Sequence, residues 1–267
     1  MRITQEEFEI LDEVIFRESG IHIGEDKKYL IESRLHKRVV DLGLPSYSDY
    51  IDYVFSNPKE FTHFVNTMTT NKTDWFRESQ HFDILQAWTQ KNQSQFGSTP
   101  LHVWSAACST GEEVYSLAMQ LEMTLGAGRY RLLGTDINTA VIQTAEKGSY
   151  AADKVQEQVP PGLVSRFFAD CPSHENHLVV KSDLRKNIKF RRVNLIDCQL
   201  PPSLQFDIVF VRNVLIYFKD STIQVIIDTL TKYLKPNGLL FTGHSETLQG
   251  ISHKLERYES AVYKKAG

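Results

Sequence analysis

Between residues 101 and 242, short apolar runs alternate with stretches whose apolar residues recur every three or four positions. That alternation narrows the possible folds more than any other feature. The runs at 101–104, 130–135, 188–193, 206–211 and 239–242 have the length and β-branched or aromatic content of strands. Helical spacing fills the stretches up to about 125, 139–147 and 222–234, and Lys235-Pro236-Asn237-Gly238 is expected to turn. Strands alternating with helices predict a mostly parallel sheet with helices on its faces.

The first 70 residues lack this texture. Phe8, Leu11, Ile15 and Phe16 share a helical face that ends at Ser19-Gly20, and 26–42 forms a second helix with Tyr29, Leu30, Leu35 and Val39 as core positions. Shorter helices follow at 48–55 and 58–67. A second departure lies at about 151–187, where Pro160-Pro161-Gly162 and an amphipathic run at 163–168 break the rhythm. Residues 177–181 and the stretch after Ser182 are expected to pair as antiparallel strands in a small inserted subdomain. The division is therefore 1–70 helical, 71–80 a linker, and 81–267 the sheet domain carrying the insert.

Hydrophobic residues make up 41% and charged residues 24%, which allows a buried core, and the net charge of −3 argues against a nucleic-acid partner. The segment after Met1 is acidic rather than apolar, and no apolar run is long enough for a bilayer. Cys108, Cys171 and Cys198 are far apart and form no ligand pattern. A cytoplasmic protein without a metal and without membrane insertion is expected.

In an open α/β sheet the ligand lies beyond the carboxyl ends of the strands, near a helix N-terminus. Four such ends carry suggestive residues. The first is Ser105-Ala106-Ala107-Cys108-Ser109-Thr110-Gly111-Glu112-Glu113, whose small side chains let backbone approach a ligand closely. It is not a G-x-G-x-x-G fingerprint, which disfavours a nicotinamide dinucleotide. Carboxylates at a helix start would repel a pyrophosphate but hold the ammonium group of an amino-acid ligand. A capping box of Ser109 or Thr110 with Glu112 or Glu113 explains the same residues, and both readings stand. The second end is Gly134-Thr135-Asp136, an acidic strand end of the kind that accepts ribose hydroxyls, or else a capping aspartate. Asn194-Leu195 offers an amide and an apolar face to an adenine. The fourth, Arg212-Asn213, follows the buried strand 206–211 with polar groups that a core strand does not explain.

Four blocks together resemble the CheR family of chemoreceptor glutamate methyltransferases, which use S-adenosylmethionine (SAM). They are Asn71-Lys72-Thr73-Asp74-Trp75-Phe76-Arg77-Glu78, the loop 105–113, the strand and its exit at 206–218, and Leu239–Glu246, in the family's order along nearly the whole chain. The resemblance implies a class I SAM-dependent methyltransferase fold, Rossmann-like, with an N-terminal all-α domain and a small antiparallel insert. It implies that Asn71, Thr73 and Arg77 contact the cofactor, Glu113 holds its ammonium group, Asp136 its ribose and Asn194-Leu195 its adenine, while Arg212 and Asn213 line the cleft. Arg77 and Tyr217 would flank the methyl group and the incoming substrate. His81 and His244, inside these blocks, are expected to be structural.

The implied products are a glutamyl methyl ester and S-adenosylhomocysteine (SAH). A glutamate carboxylate has a pKa of ~4.3 and is already an anion near neutral pH, so no general base is required. The implied partner is the acidic cytoplasmic helical bundle of a chemoreceptor, met by Arg34, Lys37 and Arg38 on one face of the second helix. Some family members also grip a receptor C-terminal peptide through a glycine-bearing loop of the insert. Here residues 168–177 lack those glycines and carry Asp170 and Glu175, so a peptide tether is not expected. A SAM-sensing regulator without transfer activity is the main alternative. A nucleic-acid methyltransferase ranks below it, because Arg212-Asn213-Val214-Leu215 stands where an Asn/Asp-Pro-Pro-aromatic block would be. A small-molecule methyltransferase would not need the basic helix.

Overall fold

The computed structural model describes residues 2–267. Its front is four helices: α1 (Gln5–Ser19), α2 (Lys28–Asp41), α3 (Tyr47–Ser56) and α4 (Pro58–Met68). Local chemistry sets their ends. Thr4 and Glu7 form a reciprocal capping box at α1, and Gly20 closes it in the left-handed conformation. Asn57 caps α4, with Pro58 in the first turn. Phe8, Leu11 and Ile15 pack against Ile31, Leu35, Val39, Tyr50 and Phe64. Three expected core residues are not in it: Tyr29 is 62% exposed, Phe16 39%, and Leu30 is only half-buried. The buried stripe of α2 runs through Ile31, Leu35 and Val39, four residues apart, and Tyr29 stands about 200° around the helix from Ile31.

A linker leads to α5 (Gln80–Phe96), which has no counterpart among the expected elements. It buries Phe82, Leu85, Trp88 and Thr89 against the sheet domain, and its remaining surface is largely Gln, Asn, Lys and Ser. The alternation then begins with β1 (Leu101–Ser105), α6 (Glu112–Leu125), β2 (Tyr130–Asp136) and α7 (Thr139–Lys147). The insert consists of β3 (Ser149–Ala151), α8 (Ala152–Gln158), α9 (Pro161–Phe167), β4 (Phe168–Asp170), β5 (His177–Val180) and α10 (Ser182–Arg185). Its three strands form an antiparallel sheet in the order β3-β5-β4. The partners of β5 are therefore Ser149–Ala151 and Phe168–Asp170, while the stretch after Ser182, expected as a strand, is the helical turn α10.

The chain returns to the main sheet with β6 (Ile188–Arg192), β7 (Phe206–Val211), α11 (Asp220–Tyr233), β8 (Leu234–Thr242), β9 (Leu255–Glu259) and β10 (Val262–Lys265). The strand order is β6-β2-β1-β7-β8-β10-β9; the first five strands are mutually parallel and the last two antiparallel. The expected mostly parallel sheet, helical front and antiparallel insert are all present. Lys235-Pro236-Asn237-Gly238, expected as a turn ahead of the strand, is instead a bulge within β8, where pairing slips between Phe206↔Leu234 and Ile208↔Leu239 and Asn237 takes φ 63°. Lys235 Nζ spans it to Asp207, 2.9 Å away. Among the described residues no helix is long and apolar enough to cross a membrane.

β1 lies between β2 and β7, so successive strands leave it in opposite directions and a crevice opens at its carboxyl end. Ser105 pairs with Gly134 on one side and Phe210 on the other, which gathers the loop after β1, Asp136 and Arg212 at one rim.

Candidate active site

A cleft opens at that rim. It is bounded by the sheet, by the corner between α1 and α2 (Ser19, Ile21) and by linker residues 69–74. Asn71, Thr73, Arg77, Glu113, Asp136, Asn194, Leu195, Arg212, Asn213 and Tyr217 all line it. Linker, β2, α6 and the loops after β6 and β7 thus bring the sequence-predicted residues to one place.

The loop after β1 answers the question left open by its sequence. Gly111 precedes α6 without any side-chain cap, so no capping box forms. Its φ of 98° favours glycine, and a Cβ there would meet Ala145 Cβ at 2.8 Å and the Tyr150 hydroxyl at 2.9 Å. Thr110 donates to Glu112 (2.6 Å), and Lys154 stands 3.6 Å from the same carboxylate. Glu113 is left to face the cleft, where it accepts from Ser105 Oγ (2.7 Å) and Arg212 Nη1 (2.9 Å). Burial pushes its carboxyl above the usual range, and the pull of Arg212 offsets only part of that. Asp136 is likewise raised by burial, against backbone N–H donors including Ser109 (2.9 Å) and Asn138 (3.0 Å).

Arg212 is buried and joins three partners: Glu113, Glu78 (Nη2 to Oε2, 3.1 Å) and the Arg77 carbonyl. Glu78 accepts further from Asn213 Nδ2 (3.2 Å) and the His244 amide (3.3 Å). Burial alone would raise its pKa, but Arg212 and Asn213 together hold it below the usual range. Glu246 receives the amides of Asn213 (2.7 Å), Leu215 (2.7 Å) and Gly243 (2.6 Å), fixing the exit of β7. Neither Glu78 nor Glu246 was assigned a role from the sequence. Both lie inside the blocks quoted above; Arg212 was the signal for Glu78, since a buried guanidinium demands a carboxylate, whereas Glu246 receives only backbone amides and had none.

His81 is fully buried and pushed down to about 4, burial being the largest cause, so it is neutral; it stacks on His244 at 4.6 Å. With Glu78 these two bring ligand atoms within 4.8 Å of one another, but the Arg212 guanidinium already occupies that carboxylate. Phe76, Glu78, Ser109 and Asn213, all around the cleft, hold positive φ of 48–57° despite having side chains, a strain that propensity does not reveal.

Several side chains have structural engagements as well. Asn194 Nδ2 donates to the Glu18 carbonyl (2.8 Å), tying the loop after β6 to the end of α1, while buried Leu195 presents apolar surface to the cleft. Arg77 Nη1 reaches the Lys72 carbonyl at 3.4 Å. Tyr217 is half-buried at the cleft, next to Ile216, which is 55% exposed. The three basic residues of α2 separate. Lys37 is exposed; Arg38 pairs with buried Glu60; and Arg34 is half-buried, donating to the Met68 carbonyl and Thr70. In the insert, Asn176 takes φ 61° in the loop before β5, where its carbonyl accepts from the Ala152 amide (2.8 Å).

Comparison with known proteins converges on one family. Residues 71–264 match the model of the CheR methyltransferase SAM binding domain, and residues 6–69 that of the CheR methyltransferase all-alpha domain. The chain is similar to the chemotaxis protein methyltransferase of Escherichia coli K12, with 34% identity across 98% of this chain and 92% of its relative. Chemotaxis protein methyltransferase 2 of Pseudomonas aeruginosa is 36% identical across 98% and 94%. A solved magnesium protoporphyrin IX methyltransferase from Synechocystis with bound SAM shares 18% identity over 70% of this chain and 79% of its own, at a TM-score of 0.39.

Proposed function

The chain belongs to the CheR methyltransferase family, and from that premise we propose that it transfers the methyl group of SAM to glutamate side chains of chemotaxis receptors, leaving glutamyl methyl esters and SAH. One observation carries the reading: Glu113, Asp136, Arg77 and Tyr217 line a single cleft between helical front and sheet. Residues 1–70 then serve receptor docking, 71–80 close the cofactor site, and 81–267 hold it.

The donor set fits the cofactor. A buried carboxylate whose burial opposes ionisation, Glu113, gains most from an ammonium partner. Asp136 keeps acceptor capacity for ribose hydroxyls, and Ile137 and Leu195 supply apolar cover for an adenine. SAM, when bound, supplies a sulfonium-activated methyl group. The chain's task is then to bring a receptor carboxylate in line with it. That nucleophile needs no proton removed, so a catalytic base is superfluous, and neutral His81 sits buried behind Glu78. Arg77 and Tyr217 orient the incoming carboxylate at the mouth of the cleft, and catalysis is chiefly alignment. Esterification deletes one negative charge from the receptor, which is how the mark biases a signalling equilibrium.

Docking on the cytoplasmic helical bundle uses the α2 face of Arg34, Lys37 and Arg38, with Lys37 as its outermost charge. Incubation with labelled SAM and receptor-bearing membranes, followed by peptide mapping, tests the whole reading. Base-labile label on receptor glutamates is expected; SAM binding without any transfer would replace an enzyme with a sensor.

A further inference from the structure

The guanidinium of Arg34 turns back toward the protein. Nη1 donates to the carbonyl of Met68 (2.5 Å), the last residue of α4, and Nη2 to Thr70 Oγ1 (2.8 Å). Helix C-termini leave carbonyls without partners and carry negative partial charge, so a forked cation is a strong clamp there. Between its two anchor points lies Thr69, whose hydroxyl donates to Asn66 O and accepts from Asn71 Nδ2 (3.1 Å) and Asn138 Nδ2 (2.8 Å). The Asn138 amide donates to Asp136 Oδ1 (3.0 Å). By a second route, Ser109 Oγ donates to the Asn71 carbonyl (2.8 Å) and the Ser109 amide to Asp136 Oδ2 (2.9 Å). Arg34 thus holds the backbone on either side of Thr69, and hydrogen bonds made by Thr69, Asn71 and Ser109 continue along the cleft wall toward both oxygens of Asp136.

We propose that Arg34 is a positioning residue for the cofactor: its fork fixes the exit of α4 and with it the linker wall and Asp136, so that the receptor-facing helix and the cofactor cleft share one side chain. The inference rests on the SAM reading above. It separates Arg34 from Lys37, which acts on the receptor alone, and by linkage it makes docking and cofactor affinity interdependent.

The test is calorimetric titration of the full chain with SAH, without receptor, at a temperature where each variant is shown to be folded. Losing a charge-assisted pair predicts R34A to bind SAH about tenfold more weakly, and R34K, which restores the charge without the fork, to recover part of that loss and bind about threefold more weakly than wild type. H36A, exposed on the same helix, keeps wild-type affinity. Graded rescue by the conservative variant is a readout that lost fold stability would not produce. Wild-type SAH affinity in both R34A and R34K overturns the proposal, and R34K decides alone if R34A does not fold. If the wild-type chain itself bound no SAH, the functional reading would fail instead.

Discussion

On the proposed reading, Glu113 is a single carboxylate prepared for a cation. Burial holds its pKa above the usual carboxylate range against the pull of Arg212, so Glu113 takes up a proton more readily than a solvated glutamate would. An ammonium group needs the anion. SAH affinity should therefore fall as pH drops through the raised pKa, and binding within the window just below it should release a proton. Calorimetry in two buffers of different ionisation heat measures that release. E113Q should abolish it and weaken binding; proton-neutral binding by the wild type across the window would sink the assignment. Stability has the opposite sign: between the ordinary and the raised pKa the native state binds more protons, so this group's contribution declines as pH rises.

Elements explain both what periodicity revealed and what it concealed. The contact between α2 and α4 depends on Arg38 and Glu60, with Glu60 almost fully buried and Arg38 one-third exposed. Burial alone would raise Glu60, but hydrogen bonds from Arg38 and Tyr50 hold it below the usual range. Such a depressed carboxylate stabilises the fold above its unfolded pKa and ceases to do so as pH falls through its folded pKa. R38M should cost about 2–3 kcal/mol at pH 7, somewhat less than breaking a fully buried pair costs, because Arg38 keeps some solvent. Urea melts at pH 7 and pH 3 should show the wild-type advantage shrinking on acidification; an unchanged gap would argue that Arg38 acts only through packing. Strands β1, β2 and β7 were legible because buried parallel strands leave unmistakable apolar runs, whereas β6, an edge strand with the sequence Ile-Lys-Phe-Arg-Arg, showed only alternation. Helix α5 was hidden by its polar outer surface, and the Pro-Asn-Gly bulge in β8 has the chemistry of a turn. Within the site, Asp136 and Arg212 sit at strand ends and Glu113 in the first turn of α6, and all three were readable as chemistry. The carboxylates Glu78 and Glu246 that hold Arg212 and Asn213 in place were not, since they meet them only through a fold that joins residues 33 to 135 positions apart.

At the scale of the molecule the cleft belongs to neither half. Ser19 and Ile21 come from the helical front, Asn71 and Thr73 from the linker, and Glu113 and Asp136 from the sheet. Asn66 reinforces the seam by exchanging hydrogen bonds with Thr139 at the start of α7 (2.9 and 3.0 Å). A ligand bound there stabilises both halves together. At a concentration one hundred times its Kd, SAH should add about 2.7 kcal/mol. For a chain of this size that corresponds to a rise of roughly 5–10 °C in Tm. Scanning calorimetry should show one transition moving as a unit; a front that melted separately and ignored SAH would contradict a shared cleft.

The bond from Asn194 to the end of α1 constrains how such proteins can be recombined. A front half transplanted from a distant relative would bring its own recognition surface, yet it would also replace two sides of the donor's container. Grafts that retarget this enzyme to a foreign receptor should therefore leave the α1–α2 corner and residues 69–74 with the recipient, and exchange only the outward surface of α2.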